Sequence, residues 1–281
     1  MIDLHTHTNE SDGSYSPFEL IDAAVALGLD ALAISDHDTL AGYDRALPRA
    51  REKGLDLVCG IELSTKLNGK TVHLLGYFLH GPPADGFRGW LGEMQATRRD
   101  RNVRLAERLQ SLGIDIGIEE VERRGRSLAG RPHFARLMVE KGYVSSIQQA
   151  FDEYLDESAK GYVDRDEPQL TLGIERIRAA GGISSIAHPV RMGYRDPAQL
   201  HSLVAEMRDA GLSAIEVYHS DHRPADVERY LEWSRELGLG VTGGSDFHGD
   251  VKPGVQLGRG PGNLNIPMSV LERLREIRPR A

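Results

Sequence analysis

Short, β-rich apolar runs alternate along this chain with longer segments whose apolar positions recur every three or four residues. The first run, residues 2–7, predicts a strand. Ser16-Pro17-Phe18-Glu19 then supplies a helix cap, an N1 proline and an N3 glutamate, opening a helix that reaches about Gly28. A second strand over 30–35 is followed by a helix ending at Lys53-Gly54, where the glycine suits a left-handed terminator. Strands over 57–63 and 70–79 flank Asn68-Gly69, a strong hairpin signal. From about Gly81 to about Tyr162 the pattern is mainly helical, with no convincing strand. The alternation then resumes: helix 170–180, strand 182–187, helix 197–210, strand 214–218, helix 225–237 and strand 240–244. Strands separated by helices imply a mostly parallel sheet, and seven of them predict an α/β fold closed into a distorted (β/α) barrel. That barrel would span residues 1–80 and 163–281, with residues 81–162 as an inserted helical cap.

Composition narrows the classes. With 40% hydrophobic and 27% charged residues and a formal charge of -8, the chain reads as an ordinary globular protein. It is not a dedicated nucleic-acid coat or membrane-surface protein. Its single cysteine, Cys59, excludes internal disulfides and suits a reducing cytoplasm, the expected location. No apolar run approaches a membrane span, and candidate chemistry begins too early in the chain for a leader peptide.

That chemistry is a set of metal-ligand types at strand ends. His5 and His7, two apart on a strand, present their rings to one face. Asp12, His37, Glu62, His188, Asp246 and His248 follow or end predicted strands, the rim where active sites of parallel barrels form. His73 lies early in its strand and reaches the same rim if that strand runs antiparallel. Nine imidazoles and carboxylates suit two or three divalent ions, with manganese the leading expectation and zinc or iron(II) the others. Glu62 is the expected bridge, because a carboxylate offers two oxygens where imidazole offers one free lone pair. Asp36 and Asp38 read as supporting groups, His80, His201 and His222 as ordinary histidines in polar, loop-like or helix-surface contexts, and Cys59 as core.

His5-Thr6-His7, Asp12-Gly13, Ser35-Asp36-His37-Asp38, Gly60-Ile61-Glu62, Ala187-His188-Pro189 and Ser245-Asp246-Phe247-His248 resemble the motifs of the polymerase and histidinol phosphatase (PHP) family. The resemblance implies a PHP-type barrel and three metals: one on His5, His7, Glu62 and Asp246, one on Glu62, His73 and His188, and one on Asp12, His37 and His248. Such a cluster would activate water against a phosphoester.

Substrate choice then rests with the cap. Residues 88–136 contain 11 Arg, no Lys and 7 Asp+Glu, a locally basic stretch in an acidic protein. Arginine suits bidentate phosphate recognition. Arg98 and Arg101 border the apolar face of the first cap helix, which also carries Asn102. Arg131 and His133 stand at a predicted helix start that would serve as an anion site. Arg104, Arg108, Arg123 and Arg124 read as a solvated face. Outside the cap, Arg191 could reach a second phosphate, and His219 could donate a proton to the leaving alkoxide. The segments 98–102 and 130–136 resemble the subgroup that removes a phosphate from nucleoside 3′,5′-bisphosphates, whose relatives also act as 5′→3′ exonucleases on short RNA. The expectation is therefore a 3′,5′-nucleoside bisphosphate phosphatase, catalytic through His219 and binding substrate through Arg101, Asn102, Arg131, His133 and Arg191. A nucleotide or short oligonucleotide is its expected partner, with no membrane and no obligate protein. The alternatives are a 5′→3′ exoribonuclease, a histidinol-phosphate phosphatase (which would want an acidic or aromatic pocket for an ammonium group) and a non-catalytic metal- and nucleotide-binding module.

Overall fold

The computed structural model describes residues 1–125 and 128–277. Arg126 and the last four residues of the expected barrel lie outside them. Seven strands, β1 (Ile2–Thr6), β2 (Ala31–Ile34), β3 (Asp56–Leu67), β4 (Lys70–Phe78), β5 (Ile183–Ile186), β6 (Ala214–His219) and β7 (Gly240–Gly244), form one sheet in sequence order. Helices α1 (Pro17–Ala26) and α2 (Ala41–Lys53) alternate with the first strands. Helices α3 (Asp85–Ser111), α4 (Ile118–Arg124), α5 (Arg131–Glu140) and α6 (Ile147–Ala150) follow β4, and α6 runs on into a π-helical turn, Phe151–Leu155. Helices α7 (Leu170–Ala179), α8 (Pro197–Asp209), α9 (Pro224–Leu237) and α10 (Ser269–Glu276) complete the chain. Among the described residues no helix is long and apolar enough to cross a membrane.

Local signals act as their chemistry dictates. Ser16 Oγ accepts the Glu19 N–H and the Glu19 carboxylate accepts the Ser16 N–H at 2.8 Å, a reciprocal cap on α1. Asn68 and Gly69 both take positive φ, 50° and 81°, giving the two-residue turn that matches the strand twist. The third strand is longer than the apolar run implies. It continues to Leu67 because the β3–β4 hairpin stands beyond the end of β2, where Ile34 pairs with Cys59.

Every neighbouring pair is parallel except those of β4, which runs antiparallel to both β3 and β5. The start of β4 therefore joins the C-terminal ends of the other strands at one rim, as His73 requires. The sheet nearly closes on itself: just beyond β7, Asp246 N–H donates to His5 O at 2.8 Å and His7 N–H to Phe247 O at 2.9 Å. At the seam a Cβ on Gly244 would lie 2.2 Å from the His5 nitrogen, so only glycine permits the approach.

Alternate strand residues point inward. Ile2, Ala31, Val58, Leu75, Tyr77, Ile183 and Ala214 fill the lower barrel, and Val270, Leu271 and Leu274 of α10 join them to stop its N-terminal end. Towards the rim the inward positions of β3, β4 and β6 become Glu62, His73 and Glu216. The helical insertion has its own core of Leu105, Leu109, Val121, Phe134, Met138 and Leu155. Its boundary is not as sharp as residue 81, because Phe87, Trp90, Leu91 and Met94 in the first half of α3 pack into the barrel's outer cluster. One continuous helix thus ties cap to barrel.

The tie is strengthened by a buried ion cluster. Asp38, at φ 50° after β2, accepts from Arg98 of α3, from Arg165 Nη1 at 3.0 Å and from the Ser64 N–H at 2.8 Å. Burial opposes its charge, but the two guanidiniums hold the carboxyl well below the usual range. Asp38→Ala, which strands two buried arginines, is expected to lower the unfolding free energy by about 3–5 kcal/mol in urea titrations. A loss below ~1 kcal/mol would mean that the cluster contributes little.

Candidate metal centre

Glu62 lies at the hub of the rim, fully enclosed. Its Oε2 faces His5 Nε2 at 3.3 Å, His7 Nε2 at 3.1 Å and His37 Nδ1 at 3.3 Å; its Oε1 faces His73 Nδ1 at 3.0 Å and His188 Nε2 at 2.9 Å. Each carboxylate oxygen thus meets a different set of imidazoles. Asp246 Oδ1 lies 3.6 Å from His5 Nε2 and 3.4 Å from both His7 Nε2 and His248 Nδ1. Asp12 completes the opposite side, 3.4 Å from His248 Nε2, 3.7 Å from His7 Nδ1 and 3.8 Å from His37 Nε2. Burial opposes ionisation of Glu62, but His37, His73 and His5 hold it well below the ordinary carboxylate range.

Backbone irregularity at the strand ends aims these groups. His188 and Asp246 take positive φ, 28° and 58°, where β-carbons are disfavoured, and the β1–β2 register shifts between Asp3 and Thr6. Strain of this kind is tolerated where surroundings over-determine it. Behind the ligands, Glu216 accepts His5 Nδ1 at 2.8 Å and the backbone N–H of His188 at 2.6 Å, orienting the ring of one and fixing the backbone of the other with one carboxylate. Asp36 accepts from Thr8 N, Thr8 Oγ1 and Ser11 Oγ and so shapes the loop that carries Asp12. Arg136 of α5 donates to the Asp12 carbonyl at 2.7 Å, pinning the cap to the same loop.

The donor set fits divalent cations. His5 Nε2, both nitrogens of His7, His37 Nδ1 and His73 Nδ1 are buried without a hydrogen-bond partner, yet they converge on carboxylate oxygens. Buried polar atoms are ordinarily satisfied, and a cation between imidazole and carboxylate would satisfy both. Among the described residues four overlapping groups have donor atoms within 4.8 Å of one another: His5, His7, Glu62 and Asp246; His7, Asp12, His37 and His248; His37, Glu62 and His73; and His5, Glu216 and His219. A cavity of about 490 Å³ opens over the cluster, and Arg98, Arg101, Arg131, Arg191 and Lys252 line it.

Residues 3–163 match the PHP domain family. The chain belongs to the PHP family. A 5′-3′ exoribonuclease from Haemophilus influenzae is 34% identical over 247 residues, 88% of this chain and 89% of its own. A 3′,5′-nucleoside bisphosphate phosphatase from Chromobacterium violaceum is 31% identical, covering 92% of this chain and 90% of its own. A solved structure from Bifidobacterium adolescentis described as a metal-dependent phosphoesterase superposes with a TM-score of 0.84 at 31% identity, over 97% of this chain and 94% of that one. This PHP protein is accordingly a metal-dependent hydrolase of phosphoric esters.

Within the PHP frame the structure brings all nine sequence-predicted ligand residues together around Glu62, but it treats the other predicted residues unevenly. Arg101, Arg131 and Arg191 line the cavity. Asn102 does not; its amide donates to Ala129 O at 2.9 Å and its oxygen accepts Arg101 Nε at 3.1 Å, so it braces Arg101. His133 Nδ1 accepts the Gly130 N–H at 3.0 Å, capping its own helix, and burial pushes the imidazole down to about 4, leaving it neutral rather than an anion-binding cation. His219 is fully buried and does not line the cavity over the cluster. Its Nδ1 accepts the Asp221 N–H at 3.1 Å, which leaves Nε2 as the proton-bearing atom of the neutral ring, 3.5 Å from Asp246 Oδ2. The expected proton donor thus lies beside the candidate ligand Asp246. His222, expected in a polar surface context, is buried against Tyr230.

Sequence reasoning gave no role to Glu216, Arg165 or Lys252, which donates to Asp246 Oδ2 at 2.8 Å. Glu216 alone carried a signal, an acidic residue at an inward position of a strand ending at the rim. Titrating Mn²⁺ into chelator-stripped protein is expected to raise Tm by several degrees, and Glu62→Gln to remove most of that gain in differential scanning fluorimetry. Unchanged melting with Mn²⁺ would show that the cluster holds no ion.

Proposed function

We propose that this PHP phosphoesterase removes the 3′-phosphate from nucleoside 3′,5′-bisphosphates, yielding a nucleoside 5′-monophosphate and phosphate. One observation carries the choice of a doubly phosphorylated substrate. Arg101 is buried, lines the cavity, and pairs with no carboxylate among the described residues. Burial, with Arg98, Arg131 and Arg165 close by, pushes its guanidinium down to about 9. A desolvated cation among cations is stabilised by an incoming anion. The His–carboxylate cluster takes the phosphate to be cleaved, and Arg101 with Arg131 takes the other.

On this reading His5, His7, Glu62 and Asp246 hold one divalent ion, Glu62, His73 and His188 a second, and Asp12, His37 and His248 a third, manganese being the favoured metal. Such ions supply Lewis acidity, making water nucleophilic and neutralising charge on the phosphoryl oxygens. The water oxygen forms the new P–O bond and the P–O3′ bond breaks. The ribose O3′ ends as a hydroxyl carrying one of the water protons, and the other remains with phosphate. The arginines fix the 5′-phosphate so that phosphorus is presented in register, with Asn102 steadying Arg101. Glu216 holds the His5 ring and the His188 backbone N–H, and His219 flanks the outer oxygen of Asp246, where Arg191 and Lys252 also bind at 2.9 and 2.8 Å.

A second reading, 5′→3′ exoribonuclease, breaks the same P–O3′ bond in a chain. It is favoured by a second cavity, about 920 Å³, that shares His73, His188, Arg131 and Arg191 with the first. Phosphate release by the Mn²⁺-loaded protein should be fastest from adenosine 3′,5′-bisphosphate among that compound, 3′-AMP, 5′-AMP and histidinol phosphate. Equal rates on all four would defeat the two-phosphate argument. Arg101→Met is expected to raise KM for the bisphosphate about 10- to 100-fold with a smaller change in kcat. An unchanged KM would remove Arg101 from the substrate site.

A further inference from the structure

One cation over the cluster has no substrate role in the bisphosphate reading. Lys252 follows the ligand motif Ser245–His248 by a few residues and lines the cavity beside Val251. The loop that carries it is pinned to the Asp12 loop. Ser14 N–H donates to His248 O at 3.0 Å, and Ser14 Oγ accepts the Asp250 N–H at 2.9 Å. Gly249 takes a φ of 65°, and a Cβ there would collide with Ser14 Oγ, so glycine lets the two loops close on each other. The 3-10 turn Gly249–Val251 then delivers Lys252. Its Nζ donates to Asp246 Oδ2 at 2.8 Å, the one side-chain bond it makes among the described residues. An ammonium group has three N–H donors, so two remain for a ligand, and the side chain is 33% exposed.

Arg191 makes the contrast. It donates to the same Asp246 oxygen at 2.9 Å, but its Nε and Nη2 are both taken by Asp221 Oδ2 at 2.7 Å. Two carboxylates grip that guanidinium. Asp246 Oδ1, meanwhile, faces His5, His7 and His248. A carboxylate that serves a cation through its inner oxygen cannot also cancel the charge of a lysine on its outer one. We infer that Lys252 is a further catalytic residue of the phosphoester hydrolysis, its ammonium, held by Asp246, taking a non-bridging oxygen of the transferred phosphoryl group. In that step the water oxygen forms the new P–O bond and the ester P–O bond breaks. One water proton ends on the leaving alcohol and the other on phosphate. Lys252 gives up no proton; it balances the charge spread over the equatorial oxygens. Lysine suits this place as a compact point charge without a fixed plane, able to follow an oxygen as phosphorus inverts. Any phosphomonoester needs such a contact, so the inference rests on the hydrolase activity and not on the bisphosphate reading.

Calorimetry with inorganic phosphate tests the contact apart from turnover. Lys252→Met is expected to weaken phosphate binding to Mn²⁺-loaded protein about tenfold, the loss of one charge-assisted hydrogen bond. Lys252→Arg should keep it within about threefold of wild type, and Mn²⁺ affinity of the stripped protein should move less than about threefold in both variants. In Lys252→Met, kcat/KM should fall about 10- to 100-fold, by the same factor on p-nitrophenyl phosphate and on adenosine 3′,5′-bisphosphate. An equal loss supports the inference even where wild type cleaves the two esters alike, the result that defeats the bisphosphate reading. Unchanged phosphate affinity in Lys252→Met would show that the ammonium only balances Asp246, and overturns the inference. Mn²⁺ affinity lowered as far as phosphate affinity overturns it too, because Lys252 would then act through the metal ligand. A loss confined to the bisphosphate, or wild-type protein that binds no inorganic phosphate, also overturns it.

Discussion

A carboxylate buried among five imidazoles is the constraint around which this protein is arranged. Glu62 would be costly in any apolar barrel, and the five rings around it would be costly without it. Neither side is satisfied by hydrogen bonding alone, since several of the facing imidazole nitrogens have no partner. The strands must therefore deliver both to one place, and the departures from regular geometry follow. β3 outruns β2, β4 reverses direction to bring His73 to the rim, and His188 and Asp246 adopt left-handed backbone at strand ends. Below the rim the barrel is ordinary apolar packing with a helix for a stopper. Above it polarity takes over within one or two residues of each strand.

The cap is held by arginine at the places where the ligand loops emerge. Arg98 and Arg165 meet on Asp38, one residue after His37, and Arg136 reaches the carbonyl of Asp12. The insertion is thus attached through the same loops that carry the site, and the first half of α3 is part of the barrel's outer core. Substrate selection and site geometry share these supports. Arginines that look alike in sequence take different parts: Arg98, Arg165 and Arg136 clamp the fold, Arg98 also lining the cavity; Arg101 and Arg131 face the cavity without a carboxylate partner among the described residues; Arg191 faces it while paired with Asp246; and Arg124 pairs on the surface with Glu140.

Much of this was legible in the chain because the signals are local. Period-two and helical patterns, the Ser16–Glu19 cap, Gly54 and Asn68-Gly69 depend on neighbours a few residues away, and those elements stand where the pattern places them. The nine ligand-type residues were legible because histidine and carboxylate at successive strand ends have few other uses, and the motifs they make are those of the PHP family. The surroundings of His219 and His133 were not legible, for the opposite reason. Each has the right residue type in the right segment, but its role depends on which nitrogen a backbone N–H occupies, and no spacing rule reports that.

By itself, the sequence determined the alternation that makes a seven-stranded barrel, the metal-ligand chemistry at its rim and the arginine bias of its insertion, because residue type and short-range spacing encode them. Tertiary structure decided which side chains share an oxygen of Glu62, which arginines are clamps and which face the cavity, and how Glu216 supports two distant histidines. It also decided that two cavities share residues of the rim. Those facts are distances between residues far apart in the chain, and they exist only once strand closure and the packing of α3 have set the positions of both partners.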